Sequence, residues 1–259
     1  MNTRFLGVCT AIALALSAGA FANDQASPNT SQQSTKHAKP AKADAGKTDA
    51  GKTDAGKPVE YTPAQRLIFD TDHLKGLEAS DTLNYGFDRQ GSMDEPFTDK
   101  VAVSILGIDE KNKKNVSVDF LTGERHIDVN VFEGFKGNPA LMMFLERDVK
   151  QMSEYTKGST VYFRARIKDA FASPAKATIT KTQISVGDAK ADATVLVLEP
   201  YVGVPEIDRF RQFEHKTYQF VISDAVPGGI YSIRTVTPGG KDGAPALEES
   251  MTYQSKSKS

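Results

Sequence analysis

Cysteine occurs once in the 259 residues, at Cys9, and tryptophan does not occur at all. Cys9 lies in the apolar run 5–18, which follows Arg4 and precedes Ala20, Phe21 and Ala22. A basic start, a short apolar core and an A-x-A site make up a secretory signal peptide, so the sequence predicts a leader over 1–22, cleaved near Ala22. Val8 is not the small residue that a lipid-modified cysteine needs before it. Once the leader is removed no thiol remains, which excludes disulfides, a thiolate nucleophile and a thiolate metal site. Long apolar runs are also lacking. No later segment approaches the roughly 20 apolar residues that span a bilayer, so the expected location is periplasmic or secreted. Nor is there a surplus of positive charge. Lys and Arg number 32 against 33 Asp and Glu, so nothing favours a phosphate backbone, and nucleic acid is not an expected partner.

Residues 23–58 contain no aromatic and no large aliphatic side chain. Such a segment cannot bury enough apolar surface to offset the entropy of ordering, and it reads as a disordered tail. D-A-G-K-T occurs there at Asp44 and Asp49, and D-A-G-K follows at Asp54. By accident the repeat spells G-x-x-x-x-G-K-T from Gly46 to Thr53. A phosphate loop needs a strand entering and a helix leaving to aim its amides, and neither flank here is either, so no nucleotide is expected.

Folding is expected over 59–254 as a single domain, followed by a basic, frayed end at 255–259. Residues 64–77 form an entry segment with an apolar knot at Leu67, Ile68 and Phe69. Period-two alternation then marks strands at 82–89, 101–108, 116–120 and 127–132. After the helical region, strands recur at 177–186, 193–201, 218–223, 230–236 and 247–253, with the turn D-A-V-P-G-G at 224–229.

Between the two sets lies the only long segment with helical spacing. Asn138 suits an N-cap and Pro139 the first helical position. Leu141, Leu145, Val149 and Met152 make the buried stripe, while Glu146, Asp148, Lys150 and Gln151 are expected on the opposite side. Lys157 and Gly158 end the helix, and Ser159 can cap a second one. That second segment, 160–172, fits two periods. Phe163, Ile167, Ala170 and Phe171 share a helical face, but Val161, Phe163, Ala165 and Ile167 also alternate with Tyr162, Arg164, Arg166 and Lys168. The helix is favoured. The expected class is α+β, a curved antiparallel sheet or incomplete β-barrel of about eight or nine strands covered by a helical pair, 138–155 and 159–172.

Motifs for chemistry are scarce. No G-x-S-x-G occurs, and no catalytic residue is nominated. Asp70, Asp72 and His73 are the one cluster resembling metal ligands, and a solvated turn, or a helix cap by Asp72, is the favoured account of them. His126 and His215 read as surface residues. Glu133, Glu146 and Glu199 could serve a carboxylate hydrolase, yet nothing in their spacing selects them. No metal and no cofactor is expected.

The strings G-N-P-A-L-M-M-F-L-E-R-D-V-K-Q-M at 137–152, Y-F-R-A-R-I at 162–167 and S-D-A-V-P-G-G-I-Y-S-I at 223–233 resemble a group of exported bacterial proteins without an established activity. The resemblance spans most of 69–251 and implies one shared fold, with no catalytic residues. More loosely, a leader, many strands and a covering helical pair are similar to the outer-membrane lipoprotein carriers, which hold an acyl chain in an incomplete barrel. That likeness is one of fold. The leading expectation is a non-enzymatic periplasmic binding or carrier protein for an apolar ligand, a lipid or lipoprotein. Met142, Phe144, Tyr162, Phe163, Arg164 and Arg166 are its ligand-binding residues, chosen because flexible apolar side chains cluster there beside a basic row. The alternative is an envelope structural or protein-interaction module that meets an envelope protein and uses the tail as spacer.

Overall fold

A computed structural model describes residues 60–129 and 131–258. The leader, the repeat tail and its phosphate-loop-like string lie outside them.

Among the described residues, nine strands form one antiparallel sheet. Four come before the helices: β1 (Asp81–Gly91), β2 (Phe97–Ile108), β3 (Lys114–Phe120) and β4 (Phe132–Phe135). Five come after: β5 (Ala177–Val186), β6 (Ala189–Leu198), β7 (Thr217–Ile222), β8 (Ile230–Thr237) and β9 (Leu247–Lys258). The order is β4-β3-β2-β1-β9-β8-β7-β6-β5, so each set is a meander and β9 joins them by pairing with β1. The sheet is open, with β4 and β5 at its ends.

A short entry helix, α1 (Pro63–Gln65), is capped by Thr62 in a reciprocal box with Gln65 and runs into a π-turn over Arg66–Asp70. Its apolar residues join the main core. Ile68, Leu74 and Leu77 are buried, and the Phe69 ring stands edge-on to Phe171 at 4.9 Å.

The helical pair is α2 (Pro139–Thr156) and α3 (Thr160–Ala172). Asn138 caps α2 by accepting from the Ala140 amide. Its Nδ2 also donates to the Tyr85 hydroxyl at 2.8 Å and to the Gly228 carbonyl at 3.0 Å. One side chain thus ties the start of α2 to β1 and to the β7–β8 turn. Gly228 has φ +82°, and a Cβ there would lie 2.4 Å from Leu83 Cδ1. The D-A-V-P-G-G turn is therefore shaped by the packing beneath it as well as by the need to reverse the chain.

α2 ends at Lys157, which takes the left-handed conformation itself. Gly158 has another reason to be glycine, since a Cβ there would meet the Phe163 ring at 2.8 Å. Ser159 then caps α3 through the Val161 amide. Phe163, Ile167, Ala170 and Phe171 are buried, so helical spacing prevails over alternation in this segment.

α2 packs against β2 and β3, and α3 against β6. Six strand spacings separate β3 from β6, about 29 Å in a flat sheet. A helical pair is only about 20 Å wide. The sheet must curl around the pair to reach both sides, as expected of a curved sheet.

Several strand bounds differ from the sequence reading: β2 starts at Phe97 rather than 101, β6 runs Ala189–Leu198 rather than 193–201, and two further differences have a visible cause. The strand expected at 127–132 is a single bridge from Ile127 to Phe120, and pairing resumes only in β4. Gly134 at φ +60° donates to the Asn115 side chain and breaks the register there, so β4 starts five residues later and ends three residues later than the alternation implies. Also, residues 255–258 are not frayed. They extend β9 alongside Asp81–Asn84, and Lys256 and Lys258 reach the enclosed Asp81 carboxylate at 3.5 and 3.1 Å. Ending the chain after Gln254 should lower Tm by at least about 2 °C in a thermal melt. An unchanged Tm would show that this extension carries no weight.

Candidate functional site

The six residues nominated from sequence all lie on the helical pair, but they do not converge. Phe144 and Phe163 are core residues, 2% and 1% exposed. Phe144 packs on Phe87, and Phe163 stands edge-on to Tyr201 and Phe210 at 5.9 and 5.6 Å. Met142 is half-buried against the same core. Tyr162 donates to Glu206 at 3.0 Å and lies 5.4 Å beneath the Arg166 guanidinium. Partial burial and the Glu206 carboxylate push its hydroxyl up to about 12. Arg164 makes a bidentate pair with Glu146 of α2, both bonds 2.7 Å, and Arg166 pairs with Asp169 at 2.9 Å. The structure therefore gathers Tyr162 and Phe163 around Phe210, with Arg166 over the outer face of Tyr162. It turns Arg164 toward α2 and leaves Met142 and Phe144 on the other helix.

Of the remaining sequence candidates, His73 is 4% exposed, and its ring lies 3.2 Å from the Ile68 carbonyl. Burial holds its pKa below the ordinary histidine value. Among the described residues, no three His, Cys, Asp or Glu side chains gather as a metal site. Glu146 is taken by Arg164, while Glu133 and Glu199 are exposed.

The densest polar chemistry is elsewhere, in a seam between α2 and the sheet. Glu249 of β9 has no exposure to solvent. Arg89 of β1 donates to it at 2.7 Å, and Arg147 of α2 contacts both its oxygens at 2.7 and 2.6 Å. Burial by itself would raise the Glu249 carboxyl, but the two guanidinium groups outweigh it and hold the pKa below the ordinary value. The arginines are braced in turn. Arg89 also donates to Asp94, which accepts from the Tyr155 hydroxyl, and the Arg147 guanidinium lies over the Phe87 ring.

The next residue of α2 faces a second network. Asp148 pairs with Lys216, each about 1% exposed, and accepts from the Tyr218 hydroxyl at 2.5 Å. Tyr218 and Tyr201 share a further hydrogen bond at 2.9 Å. Burial and the nearby Asp148 charge raise both tyrosine hydroxyls well above their ordinary range. The sequence reading placed Asp148 and Gln151 on the solvent side, yet both are buried. α2 is sunk deeply enough that its polar side also meets protein, and buried countercharges make that position tenable.

Beside the first network lies an open cleft of about 450 Å³. Arg89, Arg147, Gln151 and Tyr155 line one side, and Arg125, His126 and Ile127 line the other. A second cleft of about 480 Å³ lies at Ser92, Met93, Gln212 and Thr237–Gly239. Neither takes in any of the six nominated residues.

No protein-family model matches the chain, and no curated protein matches it. Among solved structures, a LolA superfamily protein from Nitrosomonas europaea aligns at 9% identity over 76% of this chain and 93% of that one, with a TM-score of 0.21. The likeness is loose, and it carries neither ligand nor activity to this chain. No described helix is long and apolar enough to cross a membrane.

Glu249→Gln leaves two buried guanidinium groups facing a neutral amide, so unfolding free energy should fall by about 3–5 kcal/mol in urea. The depressed glutamate contributes stability that is present above the ordinary value of 4.5 and lost as pH falls below it. The variant should accordingly show a shallower pH dependence than the parent across that acidic window.

Proposed function

We propose that the protein is a non-enzymatic binding protein of the bacterial envelope, periplasmic or secreted, that takes up a lipid or lipoprotein acyl chain between α3 and the sheet. The observation that carries this reading is the contrast between the two helices. Beneath α2 lie two buried charge networks, and an apolar ligand inserted there would strand them. Beneath α3 the contacts are mainly apolar, with the Tyr201 hydroxyl, held by Tyr218, at their border. Phe163, Ile167, Ala170 and Phe171 are the buried residues, with Tyr201, Phe210 and Phe220 among their aromatic neighbours.

An acyl chain can replace such contacts without leaving a charge unpaired, because it offers the same dispersion and burial. The polar ties of α3 lie toward its rim, where Tyr162 meets Glu206 and Arg164 meets Glu146. Both can exchange with water when the helix lifts. In this reading Phe163 belongs to the apolar wall, while Met142 and Phe144 of α2 stand apart from it. Tyr162, Arg164 and Arg166 offer an anionic or hydroxyl-bearing headgroup its hydrogen bonds. The Lys157–Gly158 link between the helices is the natural hinge.

The test is to express the full chain with its leader in a bacterial host, purify it from the periplasm, and compare native mass spectra with organic extracts. Bound host lipid that disappears on extraction is expected. A ligand-free protein that also fails to retain added lysophospholipid would refute the reading.

A further inference from the structure

The two ends of the sheet are not alike. β4 is four residues long and broken by the Gly134 bulge, a common way to blunt an edge. β5 is ten residues long, and its register with β6 is unbroken from Ala177–Leu198 to Val186–Ala189. Its sequence, A-T-I-T-K-T-Q-I-S-V, is β-branched and polar, with no proline and a single charge. Such a strand is a template for another strand.

The pairing pattern shows which groups are free. The hairpin turns at Gly187 and Asp188, so Val186 and Ala189 form the closing hydrogen-bonded pair. Bonded pairs then recur at even-numbered residues of β5, in agreement with the Glu199 amide donating to the Lys176 carbonyl at 3.1 Å. Ala177, Ile179, Lys181, Gln183 and Ser185 therefore aim their amides and carbonyls outward. No described strand pairs with them. β6 meets β7 only over Thr194–Leu198, so the half of the hairpin nearest its turn projects beyond the sheet. A second molecule can approach it there.

We infer that this edge pairs antiparallel with β5 of a second copy of the same chain, in the register that sets Thr182 opposite Thr182 across the two-fold axis. Outward-facing residues must meet outward-facing residues, which leaves few registers. Moving the axis to Lys181 would place two like-charged lysine side chains in cross-strand positions, which is unfavourable. Moving it to Gln183 would shorten the pairing. The Thr182 register sets Lys181 against Gln183 and Ile179 against Ser185, twice each, for about eight backbone hydrogen bonds. It also brings Ile184 against Thr180 and Val186 against Thr178. This lengthens the small apolar cluster that Ile184 forms with Ala193, Val221 and Val226. Lys181 already turns back to its own sheet, donating to Thr194 at 2.8 Å, and so leaves the edge clear.

Sedimentation velocity across a wide range of concentration tests this on the full mature chain. The parent should show a reversible, concentration-dependent dimer. Gln183→Glu would face Lys181 of the other copy and should tighten the dimer. Gln183→Lys would face the same ammonium group and should weaken it by about tenfold or more. Ile179→Pro removes an outward amide and spares the β5–β6 bonds, so it should give a folded monomer by circular dichroism. A parent that stays monomeric throughout overturns the inference, as does a dimer indifferent to charge at position 183.

Discussion

A carboxylate sealed in the middle of a sheet sets the terms for everything around it. Glu249 sits on β9, the strand that joins the two meanders, with no access to water. Ionised and alone it would cost several kcal/mol, so the fold must bring it positive charge. Arg89 arrives along β1 and Arg147 from above on α2. The interaction is thus a three-way joint. It fixes the register of β1 on β9 and the position of the helix over both.

The adjacent residue extends the joint. Asp148 reaches the opposite way, to Lys216 and Tyr218 at the start of β7, so two consecutive side chains of α2 hold both meanders. Buried pairs of this kind need not add much net stability, because desolvation offsets much of the attraction. They do penalise any arrangement in which one partner is withdrawn. α2 is therefore held by charges that must stay paired, whereas α3 is seated mainly on apolar side chains. Any binding function of this fold has to respect that division.

Much of this was legible in the sequence. The Asn138–Pro139 cap, the Leu141–Val149–Met152 stripe and the period-two runs located α2 and most strands, because each depends on neighbours within a few residues. The choice of helix for 160–172 rested on Phe163, Ile167, Ala170 and Phe171, which are the residues α3 buries. The inward setting of Glu249 was also present, since Leu247, Glu249 and Met251 share one face of β9. What could not be read were its partners, because Arg89 and Arg147 lie 160 and 102 residues away. For the same reason Asp148 looked like a solvent-facing charge until Lys216 was placed against it. The late start of β4 depends on a glycine bulge, and the long β9 on a distant Asp81, neither of which leaves a local signal.

The proposed division between a fixed α2 and an exchangeable α3 is most directly tested by amide hydrogen exchange on the ligand-free protein. Amides in the middle of α2 should exchange only with global unfolding. Those of α3 should exchange at least about tenfold faster through a local opening that leaves α2 protected. Equal protection of the two helices, or earlier opening of α2, would contradict the account.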